Sequence, residues 1–67
     1  MRPSARNQLK GTVTSVTRGD IVSKVVVKIG DNEVVAIITD DSVQSLDIKP
    51  GDEVYAMVKA TEVMIMK

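Results

Sequence analysis

The chain has 67 residues, nine of them basic and nine acidic, and contains neither Cys nor His. A chain of this length is expected to form one domain, residues 1–67, burying only about 60% of the surface that its unfolded form exposes. Small cores are commonly reinforced by disulfides, metals or oligomerisation; without Cys or His, disulfides and soft-metal sites are excluded, which leaves self-association. Balanced charge also excludes the broad positive field that suits duplex nucleic acid, so any anion site has to be local.

No apolar run approaches the length of a membrane span, and Met1 to Lys10 is too polar for a signal peptide. The expectation is a soluble, cytoplasmic protein, with which the lack of Cys is compatible. Valine and isoleucine dominate the apolar content and Tyr55 is the only aromatic residue, so "KVVVKI" and "EVVAII" read as strands. Turn signals at "TRGD" (17–20), "GDN" (30–32) and "IKPGDE" (48–53) divide the chain, and Pro50 and Gly51 suit the central positions of a type II turn.

Five strands are expected. The first runs from about Ser4 to Thr17, with Leu9, Gly11 and Val13 on one face and Lys10, Thr12 and Thr14 on the other; Gly11 is read as a bend. The second runs from about Ile21 to Ile29 and the third from about Glu33 to Thr39. The segment "TDDSVQSL" is the one helical signal: Asp40 or Asp41 can cap its first turn, and Val43 and Leu46 are spaced to face a core. Strands from about Glu53 to Lys59 and from Glu62 to Met66, joined by a tight "KAT" connection, complete the chain. This is an all-β class and the order of a five-stranded OB-like Greek-key barrel with one short helix between strands 3 and 4, although pattern alone leaves other small barrels open.

Sidedness is informative. Residues 34–38 are all apolar, as are Val25, Val26 and Val27, and "VMIM" places Val63 and Ile65 on one face with Met64 and Met66 on the other. Strands apolar on both faces are covered on both faces. One chain has too little material for that, and further copies of itself are the simplest cover.

Catalysis has poor support. There is no His, no Cys nucleophile, no "GxSxG" and no phosphate-binding "GxxxxGK[ST]", and the adjacent acids Asp40 and Asp41 read as helix-start residues rather than an acid–base pair. The chain is not expected to be an enzyme or to need a cofactor. OB folds often bind single-stranded nucleic acid by stacking bases on aromatics in a basic groove, but one Tyr and zero net charge give little for that.

A small oxyanion fits better. Ser4 and Arg6 offer a hydroxyl and a charged donor two residues apart on an extended chain, and Lys59 with Thr61 forms a similar pair near the other end. The plainer alternative makes Ser4, Arg6 and Lys59 the solvated face of edge strands. Composition and spacing alone favour that alternative.

At "SARNQLKG" and again at "VKATEVMI" the sequence resembles the molbindins, small Mop proteins that bind molybdate and tungstate, whose module also occurs as TOBE-type domains in molybdate-responsive regulators and transporter ATPases. The opening "SARNQLKG", the central "IITDDSVQSL" and the closing "KATEVMI" follow the family's order and spacing over nearly the whole chain. The resemblance implies an OB-like subunit assembled as a hexamer, a trimer of dimers, with molybdate or tungstate held between subunits for storage or homeostasis. It also implies Ser4, Arg6, Lys59 and the backbone at Ala60 as ligands, Thr39 supplied by a second subunit, and a backbone N–H at Asp20. Two positions depart from the family: many relatives have Ser where Ala60 stands, with Thr61 as a nearby substitute hydroxyl, and Asp20 puts a carboxylate where a neutral residue is common. An acid facing a dianion is unfavourable, so the Asp20 side chain is expected to turn outward. Asn7 and Lys10 are left between shaping the first strand and serving a second kind of site near a three-fold axis. The competing reading is a small OB-type nucleic-acid or protein-interaction module.

Overall fold

A computed structural model describes residues 6–67. Four strands, β1 (Asn7–Thr17), β2 (Val22–Ile29), β3 (Asn32–Thr39) and β4 (Glu53–Val58), form one curled antiparallel sheet in the order β3-β2-β1-β4, with helix α1 (Asp40–Leu46) between β3 and β4. Ser4, at the expected start of the first strand, lies outside the described residues.

The turns follow local chemistry. Ile29 pairs with Asn32 across Gly30 and Asp31; Gly30, with φ of 61°, occupies the first central position, as a type II′ hairpin requires. At the other reverse turn the Asp52 N–H donates to the Lys49 carbonyl at 3.1 Å and Gly51 adopts φ of 95°, which is the type II geometry expected for Pro50-Gly51.

The β1–β2 register passes from Val13 opposite Val27 to Ser15 opposite Val26, so Thr14 is the extra residue of a bulge. Gly11, read from the sequence as a bend, has a different job. A Cβ there would lie 2.6 Å from the Lys28 carbonyl oxygen and 2.7 Å from a Val27 methyl, so glycine lets two backbones approach closely.

Val13, Val25, Val27 and Val43 are the buried core, flanked by Val16, Ile29, Ile38, Ile48 and Val54. Helix α1 contributes only Val43 to it. Leu46, expected to face the core, is exposed, because a seven-residue helix held at Asp40 and Val43 turns its last residue to the rim of the sheet. The cap also differs from expectation: Thr39, not Asp40 or Asp41, is the N-cap, with its hydroxyl accepting from the Ser42 N–H at 3.1 Å. The extended conformation that ends β3 places Thr39 for this role, since an N-cap residue keeps non-helical dihedrals.

The fifth strand expected over Glu62–Met66 does not form in the chain. Residues Ala60–Glu62 make a 3₁₀ turn closed by a 2.9 Å bond from the Glu62 N–H to the Lys59 carbonyl, and residues 63–67 pair with no strand. Among the described residues the outer sides of β3 and β4 therefore have no strand partner. Val35, Ile37, Tyr55 and Met57 on the outward faces of these strands are exposed, so the two-sided apolar pattern is half covered.

Candidate functional site

The residues singled out in the sequence fall into two groups. At one end of the sheet β1 begins opposite the end of β4, with Asn7 paired to Val58 and the Asn7 side-chain amide donating to the Val58 carbonyl at 3.1 Å. Arg6 directly precedes this pair and Lys59 directly follows it, which sets two exposed cations at the same corner. Among the described residues the ion pairs are Lys10 with Glu53, Arg18 with Asp40 and Lys49 with Asp47, so neither Arg6 nor Lys59 is neutralised by an acid. Water screens much of the repulsion between exposed cations, and an anion held between them removes what is left. Ala60 and Thr61 follow in the 3₁₀ turn, exposed. Thr61 consequently does not stand two residues from Lys59 on an extended strand, as its spacing had implied; the 3₁₀ turn rotates it off that line.

The second group lies at the far end of β1. Val22 pairs with Thr39, and the Asp40 N–H donates to the Ile21 carbonyl at 2.9 Å, which ties the 18–21 loop to the start of α1. Asp20 is exposed in this loop. The Thr39 hydroxyl is engaged twice, accepting from the Ser42 N–H and donating to Ser42 Oγ at 2.8 Å. Between Asn7 and Thr17 the strand advances ten residues, roughly 33 Å of path at about 3.3 Å per residue. Arg6, Lys59, Ala60 and Thr61 therefore lie toward one end of β1, and Asp20 and Thr39 toward the other.

A polar cluster that sequence reasoning missed fixes the second group. Asp40 is buried, and its carboxylate accepts from Arg18 Nε, from Arg18 Nη2 at 2.8 Å, from Ser23 Oγ at 2.8 Å and from Gln44 Nε2 at 2.9 Å. The Gly19 N–H in turn donates to Ser23 Oγ at 3.2 Å. Hydrogen bonds from Arg18, then Gln44 and Ser23, hold the Asp40 carboxyl far below the usual carboxylate range, and the same bond raises the Arg18 guanidinium. With all its acceptors occupied, Asp40 has no share in proton transfer with exposed Asp41. Gln44, four residues on along the helix, was legible as a partner; Arg18, 22 residues away, was not.

The family described as TOBE domain matches residues 3–65. The chain belongs to the TOBE-domain family. This TOBE domain is 48% identical to molybdenum-pterin-binding protein 1 of Clostridium pasteurianum over 67 residues, 98% of each chain. It superposes on the structure of a molybdate-binding protein from Sporomusa ovata with a TM-score of 0.95 and 46% identity, covering all of both chains. It also matches the cytoplasmic molybdate-binding protein ModG, in a crystal form with molybdate bound, at a TM-score of 0.82 and 34% identity over 90% of this chain and 43% of that one. These relatives are named for binding. Among its described residues the TOBE domain has no helix long and apolar enough to cross a membrane.

Proposed function

We propose that this TOBE domain binds molybdate or tungstate reversibly, without chemistry, in the cytoplasm, at sites built between copies of itself. The observation that carries the reading is the pair of unneutralised cations Arg6 and Lys59 at one corner of the sheet. Identity of 46–48% to molybdenum-pterin-binding and molybdate-binding proteins over essentially the full chain supports the choice of ligand.

Arg6 and Lys59 supply charge, and Ser4 with the N–H groups at Ala60 and Asp20 supplies neutral donors, since a dianion leaving water needs both. Thr61 adds a hydroxyl at the rim. Thr39 and the Asp20 loop lie at the opposite end of β1, so they serve this corner only from another subunit. A homohexamer arranged as a trimer of dimers meets that requirement. Donors spaced for longer metal–oxygen bonds disfavour smaller sulfate, and holding the ion between chains stabilises the assembly by mass action. Storage or homeostasis of the oxyanion is the role that follows.

Titration calorimetry of molybdate and of sulfate into the wild-type protein and Arg6→Ala tests this. The expected result is heat with molybdate, little with sulfate, and at least a tenfold weaker molybdate affinity in Arg6→Ala with an unchanged circular dichroism spectrum. No heat with molybdate overturns the reading, and unchanged affinity in the variant removes Arg6 from the site. Retention of a labelled single-stranded oligonucleotide in a salt-sensitive way, with no response to molybdate, would establish the nucleic-acid alternative instead.

A further inference from the structure

The β1–β2 ladder ends at Thr17 opposite Lys24, so residues 18–21 hang beyond it and need other anchors. Three are present, and they bracket Asp20. The Arg18 guanidinium grips the Asp40 carboxylate through Nε and, at 2.8 Å, through Nη2. The Gly19 N–H donates to Ser23 Oγ at 3.2 Å, and Ser23 Oγ donates to the same carboxylate at 2.8 Å. On the far side the Asp40 N–H donates to the Ile21 carbonyl at 2.9 Å. All three anchors run to Asp40.

Asp20 itself is left out of this arrangement. It is exposed, and among the described residues its N–H donates to no acceptor in the chain. Its neighbours have little freedom: a Cβ at Gly19 would collide with the Val22 carbonyl oxygen, so the loop is drawn tightly against the start of β2. A free N–H between fixed neighbours is a donor already ordered for an outside acceptor, and ordering achieved before binding is not charged to the ligand.

Asp40 and Ser23 are buried, and four donors fill the Asp40 carboxylate. Neither residue is therefore available to touch an ion. The Arg18 charge cancels that of Asp40, so a carboxylate can stand near a dianion site without repelling what binds there. Gln44 holds the same carboxylate from the helix side at 2.9 Å and makes no bond to the loop. It fixes Asp40 to α1, whereas Arg18 and Ser23 fix the loop to Asp40.

We infer that Asp40 is a positioning residue of the proposed oxyanion site: through Arg18 and Ser23 it holds the 18–21 loop in one conformation, with the Asp20 N–H set to donate, and it never contacts the ion. The inference rests on the oxyanion reading and adds to it the residues that set affinity from outside the site. Thr39, the other residue proposed from this end, directly precedes Asp40, so one buried carboxylate orders both contributions. If its loss leaves the loop in the donating arrangement about one-tenth of the time, apparent affinity falls about tenfold.

The test combines molybdate titration calorimetry with amide NMR relaxation on the full chain, in wild type, Asp40→Asn, Ser23→Ala and Gln44→Ala. Ser23→Ala keeps the Arg18–Asp40 pair and frees only Gly19, so it decides the matter if Asp40→Asn does not fold. Asp40→Asn and Ser23→Ala are expected to bind molybdate about tenfold more weakly, and Gln44→Ala close to wild type. Without ligand the Asp20 amide order parameter should be about 0.8 or more in wild type and Gln44→Ala, fall below about 0.6 in the other two, and recover with saturating molybdate. A purely structural role would weaken Gln44→Ala equally and leave the Asp20 amide rigid throughout, which would overturn the inference. Wild-type affinity in either folded loop-side variant would overturn it too, with the oxyanion reading intact. A wild-type protein that binds no molybdate would remove that reading and this inference together.

Discussion

Gly11→Ala asks whether close backbone approach governs this sheet. The added Cβ would sit 2.6 Å from the Lys28 carbonyl oxygen, 2.7 Å from Val27 and 2.8 Å from Ile29. A side-chain methyl can rotate away, but a ladder carbonyl moves only if β1 and β2 separate. Overpacking of this kind costs about 1–3 kcal/mol. The smaller unfolded-state entropy of alanine returns about 0.4–1 kcal/mol, so the steric cost wins by roughly 1–2 kcal/mol. A domain of this size has a total stability of about 3–10 kcal/mol, and each kcal/mol moves Tm by about 4–8 °C. Gly11→Ala is therefore expected to lower Tm by about 5–15 °C in a thermal melt followed by circular dichroism. Wild type and variant are compared at one protein concentration, because association shifts apparent stability. An unchanged or raised Tm would refute the close-approach argument.

Asp40→Asn keeps the shape of the buried cluster and removes its charge. The wild-type carboxyl titrates in the folded state well below its ordinary value of 3.8, so its stabilisation is complete above about pH 4 and is lost as pH falls through the depressed folded value. Urea midpoints measured across acid pH should fall steeply in wild type and more gently in Asp40→Asn; parallel profiles would show that Arg18 and Asp40 are not coupled to folding. Thr39→Ala removes the cap of α1 and is expected to cost about 1 kcal/mol in urea denaturation, whereas Asp41→Ala, whose exposed side chain is not the N-cap, should cost less. The reverse order would return the cap to the acids.

Much of this fold was legible because the code for it is local. Runs of Val and Ile, Gly30 in a two-residue hairpin and Pro50-Gly51 in a type II turn each act within a few residues, and the first four strands and these turns lie close to where those signals placed them. The misreadings concern longer range. Thr39 and Asp40 both suit a helix start, and what separates them is that Arg18 and Ser23, distant in sequence, occupy the carboxylate and leave the cap to Thr39. Leu46 has core spacing, but the core it would face within this chain is an open rim. The segment at 62–66 has strand composition, yet a strand needs an edge to pair with, and the preceding 3₁₀ turn sends it away from the open one.

The corner at Arg6 and Lys59 illustrates the same division. Both cations were identifiable from residue type and spacing, while their meeting depends on the β1–β4 register. Asp20 and Thr39 were grouped with them only through the family resemblance, and the structure puts them at the other end of β1. The proposed site, which uses both groups, draws them from more than one chain.

Native mass spectrometry with and without molybdate tests that claim most directly, since it reports subunit number and bound ions in one spectrum. The expected species is a hexamer that retains molybdate when it is supplied, does not retain sulfate at the same concentration, and loses molybdate in Arg6→Ala. A monomer that carries molybdate, or a hexamer that carries none, would contradict it.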